Sequence, residues 1–200
     1  MVFATWCTNK TMQKNIQLIG LSGSLRKQSY NTMLLNSLSG LLPEHVLFEI
    51  ISIADLPLYN GDLDIPDAEE RPTTVTTFRA ALAKADGLVI VSPEYNYSIP
   101  GGLKNAIDWA SRGKDSPLLN KTIALMGVTP GMWGTVRMQM AFQQVFLALS
   151  IKTVKPEILI ANAKDKFDAA GKLIDEPTAT LIKKQLSALT EMLLLQPINK

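Results

Sequence analysis

Short apolar runs alternate along the chain with stretches in which apolar residues recur every three or four positions. Five runs are rich in Ile, Val and Leu and are bounded by turn residues. They are Ile16–Leu21, Val46–Ile51, Leu88–Ser92, Thr122–Val128 and Ile158–Ile160. Continuous rather than alternating apolarity is typical of strands that are covered on both faces, as in a parallel sheet. The pattern therefore predicts five parallel strands.

The stretches between these runs show helical spacing, clearly in three places and less completely before the third strand. The stripes are Leu34, Leu38, Leu41 and Leu42; Leu103, Ala106, Ile107 and Ala110; Ile182, Leu186, Leu189 and Leu193; and Phe78, Leu82 and Ala85. Strictly alternating strands and helices predict a doubly wound α/β sheet with right-handed crossovers.

The ends of this pattern suggest the domain organisation. Pro156 precedes the fifth run and has no N–H for a central ladder, so we expect the fifth strand at an edge of the sheet. No internal repeat, low-complexity segment or linker interrupts the chain. We therefore expect an N-terminal extension over residues 1–15 and a single domain over residues 16–200.

The segment Met132–Leu149 is apolar around most of a helix. A surface helix needs only one apolar stripe, so the surplus indicates a second buried face. Either a subunit interface or an overlying loop or chain end would bury it. Symmetric dimers are common, and we favour the interface.

Composition excludes several function classes. The 20 basic and 18 acidic residues are spread along the chain, so neither nucleic acid nor a membrane surface is indicated as a partner. No apolar run approaches the roughly 20 residues of a spanning helix. The single Cys7 rules out an internal disulfide and, with no signal-peptide pattern, favours a cytoplasmic protein. The single His45 argues against histidine-based hydrolases and zinc sites, and its place before the second strand predicts a surface residue.

The turn after the first strand has the composition of an anion site. The chain runs Gly20-Leu21-Ser22-Gly23-Ser24-Leu25-Arg26-Lys27-Gln28-Ser29-Tyr30-Asn31 into a helix. A strand-to-helix turn presents unpaired helix N–H groups to an anion. Ser22, Ser24 and Ser29 add hydroxyl donors, Arg26 adds a charged fork, and Asn31 is placed to cap the helix. The turn lacks the patterns of a dinucleotide fingerprint and of an NTP-binding P-loop. An ordinary polar turn remains the alternative.

The loop after the third strand is suited to a flat ligand. It reads Ser92-Pro93-Glu94-Tyr95-Asn96-Tyr97-Ser98-Ile99-Pro100-Gly101-Gly102. Two tyrosine rings, the peptide N–H groups near Asn96, and the adjacent glycines would let backbone and rings approach a heteroaromatic edge. The fourth strand ends in Gly127-Val128-Thr129-Pro130-Gly131, a turn that would border the same ring or be merely a loop.

These two loops carry a family resemblance. The motifs are Gly23-Ser24-Leu25-Arg26-x-x-Ser29-x-Asn31 and Ser92-Pro93-Glu94-Tyr95-Asn96-Tyr97-Ser98-x-Pro100-Gly101-x-Leu103-Lys104-Asn105-Ala106-Ile107-Asp108-Trp109, with Lys155-Pro156-Glu157 and Phe167-Asp168-x-x-Gly171-x-Leu173 further on. They resemble the NADPH-dependent FMN reductase family, and within it the chromate/quinone reductase and azoreductase branch.

The resemblance implies a flavodoxin-like fold with strand order 2-1-3-4-5, FMN as cofactor and NAD(P)H as co-substrate. It implies hydride transfer through flavin N5, in a ping-pong cycle, to a quinone, azo, chromate or flavin-type acceptor. The cofactor-binding residues that we predict are Ser22, Ser24, Leu25, Arg26, Ser29, Asn31, Pro93, Glu94, Tyr95, Asn96, Ser111 and Gly127. No side chain is assigned a catalytic role and no metal is expected; the substrate-site candidates are Tyr95, Tyr97 and Arg112.

The family also assembles as dimers or dimers of dimers. In it an arginine and a tyrosine on the helix after the fourth strand meet a glutamate, and Arg137 and Glu157 stand at the matching positions. Met140 replaces the tyrosine, which weakens the expectation of a tetramer but not that of a homodimer.

Two rival functions share the fold. A flavodoxin-type electron carrier would bind FMN without oxidising NAD(P)H, but such carriers are strongly acidic and this chain has a net charge of +2. A receiver-like signalling domain needs an acidic cluster after the first strand, where this chain has Gly20-Leu21-Ser22. The loops, not the fold, favour the reductase.

Overall fold

The computed structural model describes residues 15–64 and 71–196, so the predicted extension lies almost wholly outside the described residues. Six strands form one parallel sheet: β1 Ile16–Ser22, β2 Val46–Ile51, β3 Gly87–Val91, β4 Thr122–Val128, β5 Lys152–Thr153 and β6 Ile158–Ile160. The helices are α1 Tyr30–Ser37, α2 Thr73–Lys84, α3 Gly101–Ser111, α4 Val136–Ala148 and α5 Glu176–Leu194. The strand order is β2-β1-β3-β4-β5, and β6 also pairs with β4. The predicted flavodoxin-like, doubly wound sheet is confirmed.

The fifth position of the sheet is filled by two short pieces instead of one strand. Thr122 pairs with Lys152 in β5, and Met126 pairs with Ile158 in β6. Pro156 lies between the pieces, and because it has no N–H the ladder cannot run through it. The predicted position at an edge is confirmed.

β2 forms the opposite edge and departs from the prediction that all strands are covered on both faces. Leu47 and Ile50 are 59% and 42% exposed, because an edge position leaves part of each face open. The central strands β3 and β4 are buried at every residue, as predicted. His45, directly before β2, is partly buried at the amino end of the strand, and its carbonyl accepts the Ile16 N–H at 3.1 Å.

The hydrophobic core has two layers, one on each side of the sheet. Leu18, Val89 and Met126 point to one side, where α1 and α5 pack. Ile19, Leu88 and Leu125 point to the other, where α2, α3 and α4 pack. The predicted helical stripes of α3 and α5 are buried. No helix in the described ranges is long and apolar enough to cross a bilayer.

α1 is shorter than its stripe suggests. Leu34 and Leu38 are fully buried, but the chain passes into a 3₁₀ turn at Leu38–Gly40. Leu41 and Leu42 therefore lie beyond the helix, where they pack at the margin of the core.

α4 buries one face and exposes the other. Met138, Phe142 and Phe146 face the core. Met140 and Leu147, seven residues apart on the opposite side, are 64% and 83% exposed. Within the described part of the chain, therefore, no loop or chain end buries this second apolar side.

A cluster of charges joins α2 to the end of α3. Asp115 pairs with Arg71 at 2.9 Å and with Arg79 at 2.8 Å, and both guanidinium groups are almost fully buried. Arg79 also donates to the Trp109 carbonyl at 2.7 Å. Hydrogen bonds from Arg71, opposed by partial burial and assisted by Arg79, lower the pKa of Asp115 to about 2.

Asp115→Asn is expected to lower the melting temperature at neutral pH by no more than about 3 °C, because an exposed partner limits such pairs to about 1 kcal/mol. A carboxyl group whose pKa is lower in the folded than in the unfolded chain stabilises the fold at pH values above its unfolded pKa. This stabilisation is lost as the pH falls towards the folded pKa of about 2. The difference from wild type should therefore shrink between pH 4 and 2 in thermal melts. Asp55→Asn, in the exposed loop after β2, is the control; a difference that persists undiminished at pH 2 contradicts the prediction.

Candidate functional site

A cavity of about 290 Å³ lies where β1, β3 and β4 end. Three segments line it, one after each of these strands. The lining residues are Ser24, Arg26, Ser29, Tyr30, Asn31, Pro93, Glu94, Tyr95, Val128, Thr129 and Pro130. The two loops with distinctive sequences therefore meet in one place, at the carboxyl edge of the sheet where ligands of such folds bind.

A larger cavity of about 520 Å³ lies elsewhere, between α1 and the loop that precedes α5, with Met33, Lys172 and Lys183 in its wall. Size alone does not identify a site. The smaller cavity is the candidate because a helix N-terminus, buried hydroxyls and aromatic side chains converge on it.

The first loop approaches the third strand very closely at Gly23. Its N–H donates to the Val91 carbonyl at 2.8 Å. A Cβ at this position would lie 2.2 Å from Ser92 Oγ and 2.9 Å from a Leu103 methyl carbon. Only glycine therefore lets the two loops come together to form the cavity.

Hydroxyl groups shape the turn as well as line it. Ser22 Oγ lies 2.8 Å from Thr32 Oγ1 and accepts the Ser24 N–H at 3.3 Å. Ser22 is not among the residues of the cavity wall, and its role at the cofactor stays a prediction. Ser24 is 6% exposed, and its Oγ lies 3.4 Å from the Tyr95 hydroxyl of the second loop.

Ser29, not Asn31, caps α1, so the predicted capping role of Asn31 is wrong. Ser29 has the extended backbone of a cap and accepts the Asn31 N–H at 3.2 Å. Asn31 lies already inside the helix. Its Nδ2 donates to the Val128 carbonyl at 2.9 Å and its Oδ1 accepts the Val128 N–H at 3.0 Å. Asn31 thus ties α1 to the end of β4 across the cavity.

The electrostatics of the cavity favour an anion. The N-terminus of α1 carries partial positive charge and unpaired N–H groups, and Arg26 adds a full charge at the exposed mouth. Glu94 contributes the one carboxylate among the lining residues. Its charge is balanced by Arg137, whose guanidinium lies 3.2 Å from Glu94 Oε1.

Glu94 points its carboxylate at α4 instead of into the cavity. Oε2 accepts the N–H groups of Arg137 at 2.9 Å and Met138 at 3.3 Å, in the first turn of the helix. The formal cap residue, Thr135, has a left-handed backbone and makes no side-chain capping bond. Glu94 therefore serves as the cap of α4 from a distant part of the chain, and it fixes the second loop to that helix.

Beyond Tyr95 the second loop forms a tight turn. Tyr95 and Ser98 exchange backbone hydrogen bonds of 3.1 and 3.0 Å, and Asn96 and Tyr97 between them both have positive φ. Asn96 and Tyr97 are exposed and lie outside the cavity wall, whereas Tyr95 is part of it.

Other predicted site residues lie away from the cavity. Ser111 is the last residue of α3, about 15 Å along the helix from its start beside the loop, and its Oγ donates to the Asp108 carbonyl. Arg112 follows it, and its Cζ lies over the Tyr59 ring, 5.2 Å from the ring centre. Because α3 runs back from the carboxyl edge, the chain's own geometry separates both residues from the cavity.

Two further predicted cofactor residues are near the cavity without lining it. Gly127 is buried in β4, where a Cβ would lie 1.9 Å from Thr135 Oγ1, so close packing explains this glycine. Leu25 is 59% exposed beside Gly102.

The structure places the turn at the end of β4, which was expected either to border the ring or to be merely a loop, in the cavity wall through Val128, Thr129 and Pro130. Sequence reasoning assigned no role to Tyr30, which also lines the cavity. Tyr30 is the first residue of α1, and its position at the start of the helix after β1 is the signal that would have found it.

Comparisons with known proteins agree with this geometry. The sequence profile described as NADPH-dependent FMN reductase matches residues 16–165. The chain is 42% identical over 182 residues to an NAD(P)H-dependent FMN reductase of Pseudomonas aeruginosa, covering 89% of this chain and 95% of that protein. It is 40% identical over 185 residues to a quinone reductase of Escherichia coli, covering 91% and 97%. Among solved structures, the flavoenzyme FerB of Paracoccus denitrificans, an NAD(P)H:(acceptor) oxidoreductase, has a TM-score of 0.80 at 31% identity and covers 90% of this chain and 97% of its own.

Proposed function

The chain belongs to the NADPH-dependent FMN reductase family, and on that premise we propose that it is an FMN-dependent oxidoreductase that takes electrons from NAD(P)H and delivers them to small acceptors of the quinone class. The observation that carries the proposal is the convergence of the Ser24–Asn31 turn and the Pro93–Tyr95 segment on one cavity. A turn suited to an anion and a segment with an aromatic side chain, both lining one cavity, suit a phosphorylated flavin.

The residues present fit FMN. Ser24 and Ser29 offer buried hydroxyls, Arg26 offers charge, and the N-terminus of α1 offers backbone donors, which together match a phosphate dianion. The cavity is at the lower end of the roughly 300–1,000 Å³ of small-molecule sites, so it would hold the phosphate end and one edge of the ring. The rest of the ring would lie on the open rim, where a second substrate can reach it.

When bound, FMN supplies the ring that accepts hydride at N5 from NAD(P)H and returns electrons to the acceptor in ping-pong order. The protein's part is positioning. Pro93 and Tyr95, which line the cavity, would border the ring, and Glu94 holds their loop against α4. Exposed peptide groups of the Asn96–Tyr97 turn would lie beside the polar edge of the ring, where N–H groups stabilise negative charge.

Quinones are proposed as acceptors because relatives named quinone reductase align with 91% and 77% of the chain. A cavity open at its rim also suits several acceptors in turn. Azo compounds, chromate and free flavin belong to the same proposal and differ only in what the rim must accommodate.

We also propose that the chain forms a homodimer through α4. Met140 and Leu147 give this helix an exposed apolar side, and a second copy would bury it. The tetramer contact suggested by the family has less support, because Arg137 pairs with Glu94 and Glu157 pairs with Lys155 inside the chain. Light scattering of the purified protein measures the oligomeric state directly.

The experiment that tests the function is an anaerobic titration of the FMN-loaded protein with NADPH and with NADH, followed by steady-state turnover with a quinone. We expect the visible flavin absorbance to bleach promptly and to return when quinone is added. A protein that binds FMN but is inert to both nucleotides would be a carrier of the flavodoxin type, and the proposal would be wrong.

A further inference from the structure

Two exposed aromatic rings contact one arginine, beside the loops that line the cavity. Arg137 Cζ lies 4.2 Å from the centre of the Tyr97 ring and 5.0 Å from that of Trp133. Tyr97 and Trp133 are 71% and 67% exposed. We call these three residues the aromatic rim.

Tyr97 occupies a backbone position that favours glycine. It follows Asn96 in a two-residue turn with φ of 65°, and a left-handed conformation is uncommon for a bulky residue. Such a position persists where the surroundings hold it. Here the backbone pairing of Tyr95 with Ser98 encloses it, and the contact with Arg137 directs the ring towards α4.

Trp133 reaches the same arginine from the loop before α4. Gly134 and Thr135 follow it with φ of 55° and 69°, and a Cβ on Gly134 would lie 2.8 Å from the backbone of Leu159. The chain therefore turns sharply here and leaves the Trp133 ring on the surface. Trp133 comes three residues after Pro130, which lines the cavity.

The aromatic rim is linked to the cavity by covalent and ionic contacts. Glu94 lines the cavity and pairs with Arg137, while Tyr95 lines it two residues before Tyr97. Each exposed ring has its inner face on the guanidinium and its outer side open. A planar, electron-poor ring stacks well on an electron-rich indole.

We propose that the aromatic rim is the acceptor-binding wall of the site, with a planar quinone stacking on the open face of the Trp133 ring. Arg137 is a positioning residue that holds both rings. This inference rests on the proposed function, because it assigns the acceptor to one side of the same site. It predicts that acceptors without a planar ring bypass Trp133.

The test compares Trp133→Ala and Trp133→Phe with wild type, using 2-methyl-1,4-naphthoquinone as the planar acceptor and ferricyanide as the non-planar one. For Trp133→Ala we expect the KM for the naphthoquinone to rise about tenfold, the size of one aromatic stacking contact, with kcat little changed. The kcat/KM for ferricyanide should stay within twofold of wild type. Trp133→Phe should restore most of the loss. Met132→Ala is the matched control, because Met132 is an 84% exposed, non-aromatic residue of the same loop.

A binding measurement separates this inference from the function itself. Calorimetry of the oxidised, FMN-loaded protein with the naphthoquinone, without NAD(P)H, should give a dissociation constant about tenfold weaker for Trp133→Ala, on the same stacking argument. The inference is overturned if the dissociation constant and KM stay within twofold, if ferricyanide turnover falls equally, or if Trp133→Ala acts by changing the oligomeric state seen in light scattering. A wild-type protein that binds the quinone but never oxidises NAD(P)H would refute the proposed function, whereas the dissociation constants of the variants would still decide whether the quinone stacks on Trp133.

Discussion

Asn31→Asp is expected to weaken FMN binding by about 100-fold or more while the chain still folds. The substitution keeps the acceptor for the Val128 N–H but removes the donor to the Val128 carbonyl, and it places negative charge in a residue that is 3% exposed beside the proposed phosphate site. Repelling a phosphate from this buried position would cost about 3 kcal/mol of binding free energy.

The chain should survive this change, because an acidic side chain in the first turn of a helix interacts favourably with the helix dipole. We expect a loss of about 1–3 kcal/mol in the free energy of unfolding from the unpaired Val128 carbonyl. Fluorescence titration of apoprotein with FMN measures the affinity and denaturant unfolding measures the stability. Asn36→Asp, an exposed position in the last turn of the same helix, is the control; it should leave FMN affinity unchanged and lower the free energy of unfolding by no more than about 1 kcal/mol. FMN affinity within twofold of wild type for Asn31→Asp would contradict the assignment of the turn from Ser24 to Asn31 as the phosphate site.

Glu94→Ala is expected to destabilise the fold and loosen the flavin loop together. The carboxylate accepts two N–H groups of α4 and pairs with Arg137, and its side chain is only 14% exposed. Removing it leaves two helix N–H groups and a guanidinium without their partner, which costs about 2–3 kcal/mol. In a domain of this size that lowers the melting temperature by roughly 8 °C.

Glu94→Gln separates charge from hydrogen bonding. The amide oxygen can still accept one helix N–H, so we expect about half the loss in melting temperature. FMN affinity should follow the same order, weakest for Glu94→Ala, because Tyr95 and Asn96 depend on this anchor. Glu157→Ala removes a half-exposed carboxylate that pairs with Lys155 and is the control. Equal melting temperatures for wild type and Glu94→Ala would show that the cap is not needed.

The fold was readable from the sequence because parallel strands buried on both sides leave continuous apolar runs, as in β3 and β4. Pro156 allowed the edge position of the fifth strand to be predicted, because the missing N–H is a property of the residue itself. The same proline splits the strand into β5 and β6, and the length of the first piece depends on pairing with β4, which no local pattern encodes.

The candidate site was predictable where it depends on position after a strand, and not where it depends on tertiary contacts. Ser29 and Asn31 are both good capping residues, and only the backbone decides that Ser29 caps and Asn31 reaches β4. Glu94 meets Arg137 from 43 residues away, a contact that spacing cannot reveal. The position of Ser111, in contrast, follows from helical geometry alone. An 11-residue helix that starts beside the loop must end about 15 Å away, which places Ser111 away from the cavity.

The central claim is that the turn from Ser24 to Asn31 holds the phosphate of FMN. Comparing FMN with riboflavin, which lacks that phosphate, measures this contribution alone. The account predicts that the wild-type protein binds FMN at least about 100-fold more tightly than riboflavin, since charge-assisted hydrogen bonds contribute about 1.5–3 kcal/mol each. The double substitution Ser24→Ala with Arg26→Ala should remove most of that preference and leave riboflavin affinity unchanged. Equal affinity of the wild-type protein for the two flavins, or an unchanged preference in the double variant, would contradict it.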